Sequence, residues 1–183
     1  MSNNPKPKML SAPVVIEKIF SDNHTPDAVF SALLPALGEV LQCDRTFLYL
    51  RHPQTQIGKV VGCWCRSSEY PDVTDPDWKK EPESLAEEDP LWAAAIRNKP
   101  SIFVEDVETA SPDIVNKDFE HKTFGHRALI HAHLTFDGQL WGILQPCVFG
   151  QPRIWTEEDR SVILSVVEKL TPLAVAHVKA AQQ

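Results

Sequence analysis

The sequence contains no uninterrupted run of 18 apolar residues, and this absence predicts that no segment spans a membrane. Residues 1–8 are polar and rich in Pro and Lys, with no apolar stretch behind them, which argues against a secretory signal. We therefore expect a cytoplasmic protein whose four cysteines stay reduced. Cys63 and Cys65 are too close on one predicted strand for an easy mutual disulfide.

Other absences restrict the function. The net charge is −7 and no basic stripe stands out, so nucleic acid and anionic membranes are poor partners. The sequence has no nucleophile elbow, no phosphate-binding glycine loop and no HExxH motif, and we expect a protein that is not an enzyme. With 183 residues, 43% of them hydrophobic, the chain suits one domain with a sizeable core.

Periodicity and capping residues give the order of elements. We predict a disordered tail over residues 1–10 and a single domain over 11–181. Helices are predicted over 11–20, 25–41, 91–98, 116–125 and 156–180, and strands over 45–52, 59–66, 101–106, 127–135 and 139–149. Pro35 should kink its helix or end the first half of it, and Pro172 should bend the last helix. Residues 67–90 are rich in Pro, Asp and Glu and are predicted as a long loop with at most short helical turns, of the kind that often acts as a lid.

The strand over 127–135 carries the most informative feature. His131 and His133 are two residues apart, so both side chains lie on one face of the strand. Two neighbouring imidazoles are costly to bury unless a partner occupies the space that they face. One interpretation is a pair of histidines satisfied by water or carboxylates at the sheet surface, and the other is a pair of metal ligands.

A family resemblance is visible in the hairpin and the segment after it. Gly138-Gln139-Leu140-Trp141-Gly142-Ile143-Leu144, followed by Pro152-Arg153-Ile154-Trp155, resembles the GAF domains of cyanobacteriochromes and phytochromes. The order of helices and strands is similar over residues 10–181. The resemblance implies an α+β fold, with an antiparallel sheet of about five to six strands between helical layers and helices at both termini.

This sequence differs from that family at the positions that usually bind the bilin pigment. Bilin-binding members attach the pigment through a Cys-His pair on the short helix before the hairpin, and this place falls on Asn116-Lys117. Small polar residues that face the chromophore are replaced by His131 and His133, and a pocket histidine is replaced by Cys147. The resemblance therefore implies a tetrapyrrole pocket without covalent attachment, rebuilt with imidazoles and a thiol.

Such a pocket suggests a cytosolic sensor that binds haem, because a neutral imidazole or a thiolate in an apolar slot is what haem iron needs. We predict that His131 or His133 is the axial and metal-binding ligand. Further cofactor contacts are predicted for Cys147, His126, His121 and Phe124.

Four alternatives remain open. The chain could be a ligand-free interaction module or could hold a bilin without the usual attachment, either non-covalently or through Cys147 or Cys63. It could bind zinc through Cys63 and Cys65 with the hairpin histidines, or reduce methionine sulfoxide through Cys63, Cys65 and Cys147. The apolar stripe of the last helix suggests a homodimer through the terminal helices; it consists of Val162, Val166, Leu170 and Leu173.

Overall fold

The computed structural model describes residues 10–183, so the tail predicted over residues 1–10 lies outside the described residues except for Leu10. The chain has the predicted α+β fold, and the described residues form one six-stranded sheet and six helices, one helix more than predicted. The helices are α1 (Ala12–Asp22), α2 (Pro26–Val40), α3 (Leu85–Glu88), α4 (Pro90–Ile96), α5 (Lys117–Thr123) and α6 (Glu157–Ala181). The strands are β1 (Arg45–His52), β2 (Ile57–Cys65), β3 (Lys79–Lys80), β4 (Ile102–Val104), β5 (Ala128–Phe136) and β6 (Gln139–Val148).

The sheet is antiparallel throughout, with the strand order β3-β2-β1-β6-β5-β4. Strands β5 and β6 form the predicted hairpin. Its turn places Asp137 at φ 51° and Gly138 at φ 69°, the left-handed conformations that an Asp-Gly turn supplies between twisted strands. The register puts His133 opposite Ile143, so the histidine face of β5 continues across β6.

Helices α1, α2 and α6 cover one face of the sheet and bury the main core. Thr156 and Asp159 form a reciprocal capping box that starts α6 where the sequence predicts it. Val162, Val166 and Leu170 of α6 are buried in this core and pack inside the protomer. The stripe that suggested a dimer is therefore mostly used within one chain, and a homodimer stays a prediction without that support.

By length and composition, α6 could cross a membrane, and it is the one such helix among residues 10–183. The apolar side chains that give it this character include those that pack on the sheet, so a core position accounts for them.

The structure excludes one of the two outcomes predicted for Pro35 and corrects the prediction for residues 67–90. Pro35 does not end the first half of its helix, because α2 continues to Val40. Proline has no backbone N–H, so the carbonyl oxygen of Ser31, four residues before Pro35, loses its helical hydrogen bond. Ser31 is exposed, and water can replace that bond. Residues 67–90 contain not only the helical turn α3 but also the short strand β3, which pairs with Ile57 and Gly58 of β2.

The contact between α2 and β2 depends on the absence of a side chain at Gly38. A Cβ atom there would lie 2.0 Å from a ring carbon of Trp64. We predict that Gly38→Ala lowers the free energy of unfolding by about 1–3 kcal/mol because the indole has to move. Urea unfolding measures this change. The exposed Ser31→Ala on the same helix serves as control, with an effect within about 0.5 kcal/mol. A Gly38→Ala protein as stable as the original would contradict the packing described.

Candidate functional site

The face of the sheet opposite α1, α2 and α6 carries a cavity of about 210 Å³. Its floor is formed by β1, β5 and β6, and its walls by the segment 79–89, α4 and α5. Five aromatic side chains line it: Phe47, Tyr49, Trp92, Phe119 and Phe124. The polar lining includes His131, Gln145, Glu81, Asp89 and Glu120. An apolar cleft with a few converging polar groups is the usual form of a ligand site.

A buried ion pair holds one wall of the cavity to the sheet. Arg51 of β1 makes two parallel bonds to Glu81, from Nε to Oε1 at 2.6 Å and from Nη2 to Oε2 at 2.9 Å. Tyr49 donates its hydroxyl to the same Oε1 at 2.9 Å, and Arg51 Nη1 donates to the carbonyl oxygen of Leu140. A bidentate pair fixes direction as well as distance, so the segment after β3 is firmly seated over the cavity.

His131 and His133 lie on one face of β5, as predicted, and they are hydrogen-bonded to each other. The distance from His131 Nδ1 to His133 Nε2 is 2.8 Å. The second nitrogen of His133, Nδ1, lies 2.7 Å from the carbonyl oxygen of Lys99. Lys99 is brought here by the pairing of β4 with β5, and Ser101, two residues further along, accepts a hydrogen bond from the backbone nitrogen of His133 through its side-chain oxygen.

The carbonyl oxygen of Lys99 determines which ring nitrogens carry a proton, because it can only accept a hydrogen bond. His133 Nδ1 must therefore carry a proton, and in a neutral ring Nε2 is then the acceptor. It follows that His131 Nδ1 carries the proton that is donated to His133. The chain of bonds leaves one of the four ring nitrogens free and unprotonated, namely Nε2 of His131, whose side chain lines the cavity.

The neutral state of both rings has a physical cause. Burial holds the pKa of His131 well below its ordinary value, and the nearby His133 acts in the same direction. Burial also lowers the pKa of His133, against the hydrogen bond to Lys99, which raises it. At neutral pH the pair is therefore uncharged, which is the state in which imidazole binds a metal.

Two buried carboxyl groups that the sequence analysis missed also face the cavity. Asp89 begins α4 by accepting a hydrogen bond from the backbone nitrogen of Leu91 at 2.9 Å, and Glu120 of α5 lies 2.5 Å from Nε2 of His126. Burial raises the pKa of Asp89 to about 7, helped by the charge of Glu120, and raises the pKa of Glu120 to about 7. Asp89 followed by Pro90 is visible in the sequence as a helix start, but nothing in that pattern indicates a buried acid.

The other predicted cofactor residues are distributed unevenly around the cavity. Phe124 lines it and stacks on Phe47, with ring centroids 5.8 Å apart. His126 is buried behind Phe124, with burial lowering its pKa to about 3. His121 is half exposed and pairs with Glu108 on the surface, so the structure places it outside the cavity.

Cys147 shares the sheet face of Gln145, yet it does not line the cavity. It is fully buried opposite Arg45 of β1, and burial raises the pKa of its thiol. Because Cys147 is buried and does not line the cavity, its position favours neither a thiolate ligand nor an attachment point for a pigment.

Of the three cysteines of the redox alternative, Cys63 and Cys65 lie side by side on β2, with their Sγ atoms 3.8 Å apart, whereas Cys147 lies on β6, on the other side of β1. The predicted zinc cluster is not assembled. Strands β1 and β6 separate β2, which carries Cys63 and Cys65, from the histidine strand β5. Within residues 10–183, no three His, Cys, Asp or Glu side chains are arranged to hold one metal ion. The four cysteines, all of them in the described part, are free thiols.

Residues 25–170 match the family model of the GAF domain, and the chain belongs to this family. The search of curated proteins found no match. GAF domains are in general sensory and binding modules rather than enzymes.

Solved structures support the fold. A GAF domain of an Acinetobacter phosphoenolpyruvate-protein phosphotransferase is similar with a TM-score of 0.67 and 12% identity, over 95% of this chain and 98% of that one. The phycoerythrobilin-bound GAF domain of a cyanobacterial phytochrome gives a TM-score of 0.69 and 15% identity, over 96% and 100% of the two chains. The photoproduct state of GAF3 from Slr1393 of Synechocystis gives 0.61 and 24%, over 86% and 96%.

A covalently attached bilin does not fit the residues of this cavity. No cysteine of the chain lines it. Asn116, where the family resemblance would put the attachment cysteine, caps α5 with its side chain. A ligand without covalent attachment remains compatible with the aromatic walls and with the free nitrogen of His131.

The two carboxyl groups predict a pH dependence of stability. Because their pKa values are raised, these two carboxyl groups bind more protons in the folded protein than in the unfolded chain between about pH 4 and 7, and their contribution to stability falls as the pH rises through that range. The buried histidines, whose pKa values are lowered, contribute in the opposite direction, so the test compares the variant with the original protein. We predict that the double variant Asp89→Asn, Glu120→Gln loses this contribution. The difference in free energy of unfolding between the variant and the original protein should shift in favour of the variant by roughly 1–3 kcal/mol per carboxyl group from pH 5 to pH 7.5. Urea unfolding at several pH values measures the difference.

Asn caps helices as well as Asp does, so the variant retains the start of α4. The exposed Glu83→Gln is the matched control and should follow the original protein at every pH. Parallel pH profiles for the double variant and the original protein would show that these carboxyls are ordinary acids.

Proposed function

We propose that this GAF domain is a sensor module that binds a tetrapyrrole non-covalently, in the first place haem, with His131 as the axial ligand. The observation that supports it is the hydrogen-bonded chain from Lys99 through His133 to His131, which leaves an unprotonated Nε2 in a neutral ring at the cavity. Haem, if bound, would supply an iron that such a nitrogen can ligate. The cytoplasmic location remains part of this proposal.

The two histidines have different roles in the proposal. A metal-binding histidine usually donates a hydrogen bond from its second ring nitrogen to a fixed acceptor, and this bond sets the tautomer and the ring orientation. His133 is that acceptor for His131, and its own bond to Lys99 fixes its direction. His133 is therefore a positioning residue, since both of its nitrogens are already used.

The size of the cavity adds a requirement. At about 210 Å³ it is smaller than the ~300–1,000 Å³ of ordinary ligand sites, so a tetrapyrrole enters only if a wall moves outward. One wall of the cavity is helix α5, which has only seven residues. Its capping residue Asn116 donates a hydrogen bond from Nδ2 to the carbonyl oxygen of Glu88 in α3. We infer that α5 is displaced when the ligand binds.

A linear tetrapyrrole held without covalent attachment is the second candidate. It is favoured by the similarity to a phycoerythrobilin-bound domain and by Asp89 and Glu120, which offer acceptors to pyrrole N–H groups. The same Nε2 of His131 would then accept a hydrogen bond in place of binding iron.

Titration of the purified apoprotein with haemin, followed by absorption before and after dithionite, tests the proposal. We predict one haem per chain and a Soret band that shifts on reduction. His131→Ala should abolish the axial ligation, and His133→Ala should weaken binding about 10–100-fold because the ring of His131 loses its orientation.

His24→Ala is the matched control, since His24 is exposed between α1 and α2 and far from β5 in the fold; it should bind haem like the original protein. Haem spectra unaffected by His131→Ala would reject the assignment. A protein that takes up added biliverdin but no haemin would favour the linear ligand, and one that takes up neither would leave an interaction module without pigment.

A further inference from the structure

The cavity can hold a ligand much smaller than a tetrapyrrole without any movement of its walls. Its volume is about 210 Å³, and an engineered protein cavity of ~150 Å³ is enough to bind benzene. One six-membered ring with a short polar group therefore fits the cavity as the structure shows it. The five aromatic side chains that line it give such a ring apolar surface to pack against.

Three buried groups in the lining can accept hydrogen bonds from this ligand. The first is the unprotonated Nε2 of His131. The others are the carboxyl groups of Asp89, which begins α4, and Glu120, which lies in α5. His126 contacts Oε2 of Glu120, so Oε1 is left for a ligand. Once the carboxyl groups are ionised, all three groups are acceptors, and a ligand that pairs with them has to donate.

The two carboxyl groups also favour a ligand of positive charge. The charge of Glu120 helps burial to raise the pKa of Asp89 to about 7, and burial raises the pKa of Glu120 to about 7. An ionised carboxyl group in an apolar site is costly unless it has a partner of opposite charge. A cation in the cavity offsets both the lost hydration of Asp89 and Glu120 and the repulsion between them.

The positive side chains of the lining, Lys79 and Lys80, are held by partners outside it. Lys79 Nζ lies 2.6 Å from Oδ1 of Asp75, and Lys80 Nζ donates to the carbonyl oxygen of Thr55 at 2.8 Å. Neither partner lines the cavity. The two ammonium groups are therefore engaged elsewhere, and a cation from solution can take the place beside the carboxyl groups.

The acceptors call for a molecule that spreads its donors rather than for a single ion. Within residues 10–183, no three His, Cys, Asp or Glu side chains are placed to hold one metal ion, so the three acceptors do not converge on a point. A planar amidinium or guanidinium group distributes its charge and its N–H groups over two or three nitrogens and is more weakly hydrated than an ammonium ion. It can reach separate acceptors, and it costs less to bring into an apolar cavity.

We propose that the closed cavity binds a small organic cation, a single aromatic ring that carries an amidinium or guanidinium group. The cation donates hydrogen bonds to Asp89, Glu120 and Nε2 of His131. Its ring packs among the aromatic side chains, whose faces also attract positive charge. Binding of this cation does not require tetrapyrrole binding, which needs an outward movement of α5. The two ligands exclude each other because both use Nε2 of His131.

Calorimetric titration of the ligand-free protein with benzamidine, benzamide and benzoate tests the proposal. The three compounds share the ring and the planar shape, and they are positive, neutral and negative, respectively. At pH 8, above the pKa values of about 7 of Asp89 and Glu120, both carboxyl groups are mostly ionised. We expect one benzamidine per chain, bound roughly 10-fold or more tighter than benzamide because its hydrogen bonds are made to charged groups. Benzoate should not bind.

The double variant Asp89→Asn, Glu120→Gln keeps the size of both side chains and removes their charge. It should bind benzamidine no better than benzamide, and its retained affinity for benzamide shows that the cavity is intact. The exposed Glu83→Gln is the matched control for the loss of a negative charge and should bind benzamidine like the original protein.

The comparison of the three compounds uses the original protein alone, so it holds even if a variant fails to fold. A protein that does not bind benzamidine, or binds it no tighter than benzamide, would overturn the proposal. So would a preference for benzamidine that persists in the double variant. None of these results bears on the haem titration, in which His131→Ala is the decisive variant.

Discussion

The hydrogen bond from His133 to the carbonyl oxygen of Lys99 is the interaction on which the candidate site depends. It exists because β4 pairs with β5 and places residues 99–101 beside His133. A carbonyl group accepts and never donates, so this one contact sets the tautomer of His133 and, through it, that of His131. The chemical character of the cavity is thereby decided by a backbone atom about thirty residues away in the chain.

Burial in and around the cavity maintains this arrangement by disfavouring the charged form of both imidazoles. Five aromatic rings line the cavity together with His131, and burial keeps both imidazoles neutral. Glu81 is paired with Arg51, whereas burial raises the pKa values of Asp89 and Glu120 to about 7. The cavity is thus largely apolar, and its polar groups include Nε2 of His131 and the carboxyl groups of Asp89 and Glu120.

The sequence predicted what depends on local periodicity and failed where distant segments meet. Alternation along β5 placed His131 and His133 on one face, and the Asp137-Gly138 turn fixed the hairpin. Alternation could not show that Cys147 would be buried against Arg45, or that His121 would turn to Glu108 on the surface. Similarly, the stripe of α6 is visible as an apolar face, but whether it meets the sheet or a second chain depends on tertiary packing. Asp89 and Glu120 were missed because each is an ordinary helix residue until two separate helices bring them to one cavity.

The most direct test of this account is the protonation of the two imidazoles in the ligand-free protein, measured by ¹⁵N NMR of the histidine rings at neutral pH. The account predicts that both rings are neutral, with the proton on Nδ1 of His131 and on Nδ1 of His133, and with Nε2 of His131 unprotonated. A proton on Nε2 of His131, or a charged ring at either position, would contradict it.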